Sequence, residues 1–174
     1  MRWRIGWRRN NGERICILTG TDSFYLTKYG HTSKMNKYER RDRMRVKMCG
    51  MRTMAAARAA EEAGADYIGF IFAKNSRRYV APEAAREIVR TLRRVKKVGV
   101  FVDAPMDEIN EIAAYVGLDY VQLHGHESAE MARQSEHPVI KAYRYGDDFD
   151  ADAANVYPAE MILVDSYVQG AAGG

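Results

Sequence analysis

The sequence of 174 residues contains little cysteine, little proline and no long apolar run. Its two cysteines, Cys16 and Cys49, lie far apart, which favours free thiols in a reducing compartment over a disulfide framework. No apolar run reaches the roughly 18 residues that a membrane span requires. The N-terminus lacks the apolar segment and small-residue cleavage site of a signal peptide. These absences predict a cytoplasmic protein that has no membrane partner.

Charge is distributed unevenly along the chain. Residues 1–45 contain 12 Lys/Arg and 4 Asp/Glu, whereas residues 46–174 contain 15 Lys/Arg and 19 Asp/Glu. The basic character therefore belongs to the head of the chain, and it does not predict that the whole protein binds nucleic acid. We expect residues 1–43 to be a basic N-terminal extension that is disordered or precedes a true start at Met44. A basic arm for nucleic acid and an Arg-rich targeting peptide are the alternatives. Within it, Ile15–Leu18 and Phe24–Leu26 are candidates for a weak hairpin.

From Val46 onward, short apolar runs alternate with segments of helical spacing. The starts of these runs are 21, 30, 23, 19 and 22 residues apart. Continuous apolar strands between amphipathic helices are typical of a parallel sheet covered by helices, either a doubly wound sheet or a TIM barrel. The predicted strands are Val46–Cys49, Tyr67–Phe72, Lys97–Val102, Tyr120–Leu123, Val139–Tyr143 and Met161–Val164. Residues 44–174 are therefore predicted to form one α/β domain.

The missing phosphate motifs and the position of polar residues favour the barrel. No G-x-G-x-x-G follows the first strand, and no G-x-x-x-x-G-K-[ST] occurs anywhere. Polar side chains instead follow the ends of several strands, as they do at the mouth of a TIM barrel, where active sites lie. These residues are Cys49, Arg77, Arg78, Asp103, His124, Arg144 and Asp165.

Cys49 and Asp165 suit a reaction that moves protons. A thiol base and a carboxyl acid together can remove a C–H proton and protonate a leaving oxygen. Each also has an ordinary interpretation, Cys49 as a small buried apolar residue and Asp165 as a helix cap. Lys47 is close to Cys49 in sequence, but its side chain lies on the opposite strand face from Met48, so it is a poor candidate for an activating cation.

Three further residues are candidates for substrate binding. Arg78 follows the second predicted strand and offers a guanidinium to a carboxylate or phosphate. Gln122 and His124 are two residues apart on one strand, so both side chains face the predicted interior near its mouth. His124, His126 and Glu127 do not have the spacing of a recognised ligand set, so no metal site is predicted.

Six motifs in order resemble those of one family, phosphoribosylanthranilate isomerase. They are Lys47–Arg52, Glu61–Phe72, Ser76–Val80, Lys97–Val102, Val121–Gly125 and Leu163–Ser166. The resemblance implies an eight-stranded TIM barrel that works without a cofactor or metal. It also implies a small-molecule substrate and the Amadori rearrangement of N-(5-phosphoribosyl)anthranilate to 1-(2-carboxyphenylamino)-1-deoxyribulose 5-phosphate in tryptophan biosynthesis.

The resemblance also implies a role for each candidate residue. Cys49 would be the general base that takes the proton from C2 of the sugar, and Asp165 the general acid that protonates the ring oxygen. Arg78 would bind the anthranilate carboxylate, while Gln122 and His124 would line the pocket. The chain departs from the family by having methionines at positions 48 and 51 and a histidine at position 126.

The resemblance covers about residues 44–174, and the family continues with two more βα units whose loops bind the substrate phosphate. We therefore expect an incomplete barrel in which strands one to six are present and units seven and eight are missing. Six strands cannot close an eight-stranded barrel, so the first and sixth strands should be open edges. The chain alone should fold poorly, associate or aggregate, and have little or no activity. An inactive fragment that needs a partner chain is the alternative function.

Two other barrel enzymes and one binding protein are alternatives to this interpretation. Indole-glycerol-phosphate synthase would need a catalytic lysine on an early strand, and a pentose-phosphate epimerase would need a set of His and Asp metal ligands. Neither pattern is present in the sequence. A nucleic-acid binder would depend on the head alone.

Overall fold

The computed structural model describes residues 5–10, 13–18, 23–26, 45–145 and 149–166. Their strands form a two-stranded sheet, β1–β2, and a seven-stranded sheet in the order β3 to β9. Within the larger sheet β3 and β4 are antiparallel, and every later neighbouring pair is parallel. The strands are β1 (Ile5–Asn10), β2 (Glu13–Leu18), β3 (Ser23–Leu26), β4 (Arg45–Cys49), β5 (Tyr67–Ile71), β6 (Lys96–Phe101), β7 (Tyr120–Leu123), β8 (Val139–Tyr145) and β9 (Met161–Ser166).

A helix lies between each two consecutive parallel strands, so β4 to β9 form six strands of an incomplete (βα) barrel. The helices are α1 (Met54–Glu62), α2 (Pro82–Val89), α3 (Met106–Val116), α4 (Ala129–Ala132) and α5 (Ala151–Val156). The six predicted strands are confirmed to within a few residues at each end. A parallel arrangement follows because each helix returns the chain to the same edge of the sheet.

The helix ends are explained by local chemistry. The Thr53 hydroxyl accepts a hydrogen bond from the Ala56 N–H at the start of α1, and Ser128 does the same for Met131 at α4. Gly117 ends α3 with φ +80°, a left-handed conformation that glycine adopts without strain. Helix α5 is capped by Asp150, whose carboxylate accepts hydrogen bonds from the Asp152 and Ala153 N–H groups.

The head of the chain pairs differently from the sequence prediction. The partner of β2 in its hairpin is β1, not the Phe24–Leu26 segment. That segment belongs to β3, which pairs with β4, so the expectation of an open edge at the first barrel strand was wrong. Residues of β2 and β3 also lie within 8 Å of β9, the other end of the sheet. The assignment of residues 1–43 as a separate extension remains a prediction.

Strand alternation divides the core into two layers. Ile68, Phe70 and Leu123 belong to the larger cluster, which packs the sheet against the helices. Tyr67, Val98 and other residues of the opposite strand face form a smaller cluster on the inner side of the sheet. Leu123 thus packs against the helices. Lys47, Cys49, Gly69, Gln122 and Asp165 therefore point to the inner side, because they alternate with the outer residues.

Glu61, near the end of α1, fixes the loop that leads into β6. One of its carboxylate oxygens accepts hydrogen bonds from the backbone N–H groups of Arg93, Arg94 and Val95, at 2.8, 2.7 and 3.1 Å. The hydrogen bond from Arg94 is the main reason that the pKa of Glu61 is lowered from 4.5, while partial burial acts in the opposite direction. The charged form of Glu61 therefore stabilises the fold.

Replacing Glu61 by glutamine should reduce stability in a pH-dependent way. A carboxyl whose pKa is lowered by folding contributes stability above its unfolded pKa, and this is lost as the pH falls through the folded value. We expect Glu61→Gln to cost about 1 kcal/mol at pH 7, and the cost to disappear in acid, where glutamine resembles the protonated carboxyl. Urea titrations at pH 7 and in acid measure both values, with Glu62→Gln as the control. An equal cost at both pH values would contradict this assignment.

Candidate active site

The residues predicted to carry chemistry lie at the carboxyl ends of the parallel strands. Cys49 is the last residue of β4, and Asp165 is the next-to-last residue of β9. His124 directly follows β7. Because the strands are parallel, these ends meet at one edge of the sheet. The inner side of that edge is the candidate active site.

Cys49 is held by a tight turn against β5. The N–H groups of Gly50 and Met51 both donate to the Gly69 carbonyl, at 2.9 and 3.0 Å. Gly50 has φ +88°, a conformation that other residues adopt only with strain. Gly69 leaves room for the thiol, because a Cβ at that position would lie 2.7 Å from Cys49 Sγ. The thiol therefore occupies a space that Gly69 leaves open, and Gly50 supplies the turn that follows it.

Lys47 lies beside this thiol, which corrects the prediction that it is a poor candidate for an activating cation. Lys47 and Cys49 are two residues apart on β4, so both side chains point to the inner side. The Lys47 side chain is fully buried. A Cβ at Gly69 would lie 3.0 Å from Lys47 Nζ as well as 2.7 Å from Cys49 Sγ. Alternation separates the Lys47 side chain from that of Met48 but puts it on the same strand face as Cys49.

Arg78 is brought to the same end of β4. Its guanidinium Nη1 donates to the Cys49 carbonyl at 3.2 Å. Its side chain also packs over Gly50, where a Cβ would lie 2.7 Å from Arg78 Cδ. Arg78 is therefore held next to the proposed base. The neighbouring Arg77 differs, because its backbone carbonyl accepts a hydrogen bond from Arg52.

Gln122, His124 and Asp165 form a continuous chain of polar groups across β7 and β9. Gln122 Nε2 lies 3.0 Å from His124 Nδ1, and His124 Nε2 lies 3.6 Å from Asp165 Oδ2. With the amide nitrogen facing the ring, Gln122 donates to Nδ1, so a neutral imidazole has its proton on Nε2, toward Asp165. Gln122 is buried, whereas the other two side chains are about one-fifth exposed. The site thus has a fixed amide at its base and a carboxylate that is accessible to solvent.

Asp103, another residue at this rim, serves the backbone of the neighbouring loop. It has φ 51°, and its carboxylate accepts a hydrogen bond from the His126 N–H at 2.6 Å. That hydrogen bond is the main cause of a lowered Asp103 pKa. Arg144, the remaining rim residue, is exposed. Neither residue contacts the predicted catalytic residues through a hydrogen bond or ion pair that the structure describes.

A buried ion pair next to the site was missed by the sequence interpretation. Lys141 Nζ lies 2.8 Å from Glu127 Oε2, and the two side chains are 5% and 0% exposed. Lys141 also donates to the Gly125 carbonyl at 2.7 Å, while Glu127 accepts from the Asp103 and Gly125 N–H groups. The available signal was a lysine in the middle of the apolar run Val139–Tyr143. The pair holds the loop that follows His124.

The described residues contain no group of three or more His, Cys, Asp or Glu side chains that could hold a metal ion. No helix among them is long and apolar enough to cross a membrane.

Comparisons with known proteins point to a single family. Residues 46–174 match the family model described as N-(5′-phosphoribosyl)anthranilate (PRA) isomerase. The isomerase of that name from Desulforamulus reducens is 46% identical over 132 residues, which are 75% of this chain and 63% of that protein. The chain therefore spans less than two thirds of the length of this relative.

Solved structures give the same result. The crystal structure of phosphoribosyl anthranilate isomerase from Thermotoga maritima is 39% identical, with a TM-score of 0.68 over 74% of this chain and 63% of that one. A second isomerase structure, in complex with reduced 1-(o-carboxyphenylamino)-1-deoxyribulose 5-phosphate, is 40% identical, with a TM-score of 0.65 over 70% of this chain and 64% of that one.

Proposed function

This chain belongs to the N-(5′-phosphoribosyl)anthranilate isomerase family, and from this membership we propose that it catalyses the family's Amadori rearrangement in tryptophan biosynthesis. The substrate would be N-(5-phosphoribosyl)anthranilate, and the product 1-(2-carboxyphenylamino)-1-deoxyribulose 5-phosphate. A relative binds the reduced form of this product. Substrate and product are isomers, so the reaction requires only the movement of protons and electron pairs within one molecule.

The observation that supports this proposal is the position of a thiol and a carboxyl on one inner surface. Cys49 and Asp165 end the first and sixth parallel strands, and each is accompanied by polar groups that suit its role. Arg78 and Lys47 lie at the thiol, whereas His124 lies at the carboxyl. A base and an acid in different electrostatic surroundings are what a proton-transfer isomerase requires.

The reaction begins at the ring oxygen of the ribose. Asp165, in its protonated form, gives a proton to this oxygen as the bond between it and C1 breaks. The nitrogen lone pair forms a C1=N double bond. Cys49, as the thiolate, then removes the proton from C2. The electrons of that C–H bond form a C1=C2 double bond, and the electron pair of the C1=N double bond returns to the nitrogen. The enolamine takes a proton at C1 and loses the C2 hydroxyl proton, which yields the ketose.

His124 would stabilise the carboxylate that Asp165 becomes when it has given up its proton. Its Nε2 faces Asp165 Oδ2 at 3.6 Å, and Gln122 fixes the ring from the other side. The attraction between this ring N–H and the acid is stronger after proton transfer, when the acid is charged, than before it. Gln122 and His124 therefore line the pocket and orient the acid.

Arg78 would bind the anthranilate carboxylate of the substrate. Its guanidinium has five N–H donors, and the bond to the Cys49 carbonyl uses Nη1. A planar guanidinium can bind a carboxylate in a fixed plane. This contact would place the sugar carbon C2 next to the thiol.

We propose the partner and the cellular location of the protein on the same basis. The partner would be this small phosphosugar, and the reaction would occur in the cytoplasm with no nucleic acid involved. The competing function is an inactive partial barrel that depends on a partner chain. The family membership of the chain favours the isomerase over this alternative.

The test is an assay of the purified full chain with N-(5-phosphoribosyl)anthranilate, in which chromatography separates the two isomers. We expect conversion above the uncatalysed rate, even if it is slow compared with that of longer relatives, and loss of this conversion in Asp165→Asn. Glu62→Gln makes the same kind of change at an exposed carboxyl at the end of α1, and as the control it should retain the rate. No conversion by the chain alone would reject the proposal. Conversion that depends on a co-expressed second chain would support the partner-dependent alternative.

A further inference from the structure

We propose that β2 and β3 of the N-terminal segment close the barrel within the same chain, with β3 in the gap between β4 and β9. The inner surface and the two ends of the parallel strands are thus an interaction surface, and its partner is a segment of the chain itself. This inference concerns the completion of the fold and does not depend on the proposed reaction.

The six parallel strands β4 to β9 curve around a shared interior. Tyr67 of β5 packs in one cluster with Ile140 of β8 and Leu163 of β9. The Tyr67 hydroxyl also donates to Met161 Sδ of β9 at 3.8 Å. Strands so far apart in the order of the sheet share contacts because the sheet is rolled. Six strands do not complete an eight-stranded barrel, so a gap is left between β4 and β9, the two ends of the parallel run.

Strand β3 lies in this gap. It pairs antiparallel with β4, with Ser23 opposite Met48, and its Cα atoms also come within 8 Å of those of β9. Neighbouring strands of a sheet are about 5 Å apart, so a strand that is next to both ends of the parallel run fills most of the gap. The Cα atoms of β2 come within 8 Å of those of β3 and of β9, so β2 lies against the same opening.

The backbone edge of β4 is what β3 satisfies. The Val46 N–H donates to Asp66 Oδ2, and the Val46 carbonyl accepts from the Asp66 N–H, both at 2.9 Å, so these groups point towards β5. Successive residues of a strand present their N–H and C=O groups to opposite edges, so those of Lys47 point towards β3. The residue opposite Lys47 is Phe24. Without β3, this edge would be open to pairing with another chain.

Charge favours the internal segment over a second copy of the chain. Residues 1–45 contain 12 Lys/Arg and 4 Asp/Glu, a net charge of +8, whereas residues 46–174 contain 15 and 19, a net charge of −4. These opposite charges attract the two parts of one chain to each other. Two copies that each have a net charge of +4 repel instead.

The experiment measures amide hydrogen exchange in the unmodified full chain, residue by residue, by NMR. We expect the Lys47 amide to exchange about a hundredfold or more slowly than in the unfolded chain, because it faces β3. Met48, whose N–H points towards β5, is the internal control and should be protected whether or not β3 is in place. A Lys47 amide that exchanges at the unfolded rate beside a protected Met48 would overturn the proposal and leave residues 1–43 as a separate extension.

A matched pair of proline variants assigns this protection to β3. Phe24→Pro removes the backbone N–H that faces β4 and fixes φ near −65°, which does not suit the middle of a strand. It should return the Lys47 amide to within about tenfold of the unfolded rate and lower the urea midpoint of unfolding. Trp7→Pro makes the same kind of change in β1, whose ladder partner is β2, and should leave Lys47 protected. Unchanged slow exchange in Phe24→Pro would refute the proposal. If that variant does not fold, the exchange of the unmodified chain still decides.

Dilution separates internal closure from pairing with a second copy. We expect a monomer by size-exclusion chromatography, and the same Lys47 exchange at two protein concentrations about tenfold apart. Protection that is lost on dilution would assign this edge to a second copy and overturn the proposal. Exchange requires no substrate, so a protected Lys47 amide in an inactive chain supports internal closure and rejects the proposed activity. An active chain with an unprotected Lys47 amide does the reverse.

Discussion

Replacing Cys49 by alanine should lower the turnover of N-(5-phosphoribosyl)anthranilate by about 10²- to 10⁴-fold, the usual contribution of a general acid or base. The proposed mechanism requires a base at C2, and Cys49 is the group that the end of β4 presents beside Lys47. Alanine removes the base but leaves the turn at Gly50, whose hydrogen bond to the Gly69 carbonyl involves only backbone. The fold and the binding of substrate should therefore change little.

Steady-state kinetics of the variant and the unmodified chain measure this effect as a fall in kcat with a nearly constant KM. Cys16→Ala is the matched control, since it removes the other cysteine of the sequence and should retain the full rate. Cys49→Ser is a more conservative comparison, because a hydroxyl of similar size is a much weaker base. A Cys49→Ala variant that retains more than a tenth of the rate would show that another group removes the proton.

Replacing Lys141 by methionine should lower the free energy of unfolding by about 3–5 kcal/mol, as breaking a buried ion pair usually does. Methionine has nearly the same length, so the loss is electrostatic rather than a cavity. Glu127, whose side chain is fully buried, would retain its charge without the ammonium group that lies 2.8 Å away. The Gly125 carbonyl would also lose the hydrogen bond that it accepts from Lys141.

Urea titrations of the single and double variants separate these contributions. Glu127→Gln removes the charge but can still accept the hydrogen bonds from the Asp103 and Gly125 N–H groups. Combined with Lys141→Met, it should therefore restore part of the lost stability, and the double-mutant cycle gives the coupling energy of the pair. Lys96→Met, which removes a lysine from a solvent-exposed ion pair, should cost less than about 1 kcal/mol. A cost for Lys141→Met as small as that of the control would mean that the pair does not hold the loop after β7.

The sequence by itself was enough to determine the six parallel strands, most helix ends and the family. Apolar runs separated by amphipathic segments permit few arrangements, since each apolar run must be buried on both faces by the helices beside it. The caps at Thr53 and Ser128 and the left-handed Gly117 were predictable because they depend on neighbours within a few residues. The candidate residues at the strand ends could be identified because strands and helices alternate regularly along the sequence. Their catalytic roles remain proposals.

Only the tertiary structure decided which side chains meet. The pairing of β3 with β4, the chain from Gln122 to Asp165 and the buried contact of Lys141 with Glu127 join residues from separate elements. Lys47 shows the reason most clearly: alternation placed it on one face of a strand, but its closeness to the Cys49 thiol depends on a glycine of the next strand, Gly69. The local sequence pattern determines whether a residue belongs to a strand or a helix and which face its side chain takes, because this pattern acts through the backbone of neighbouring residues. Register and packing determine the distances on which charge interactions depend.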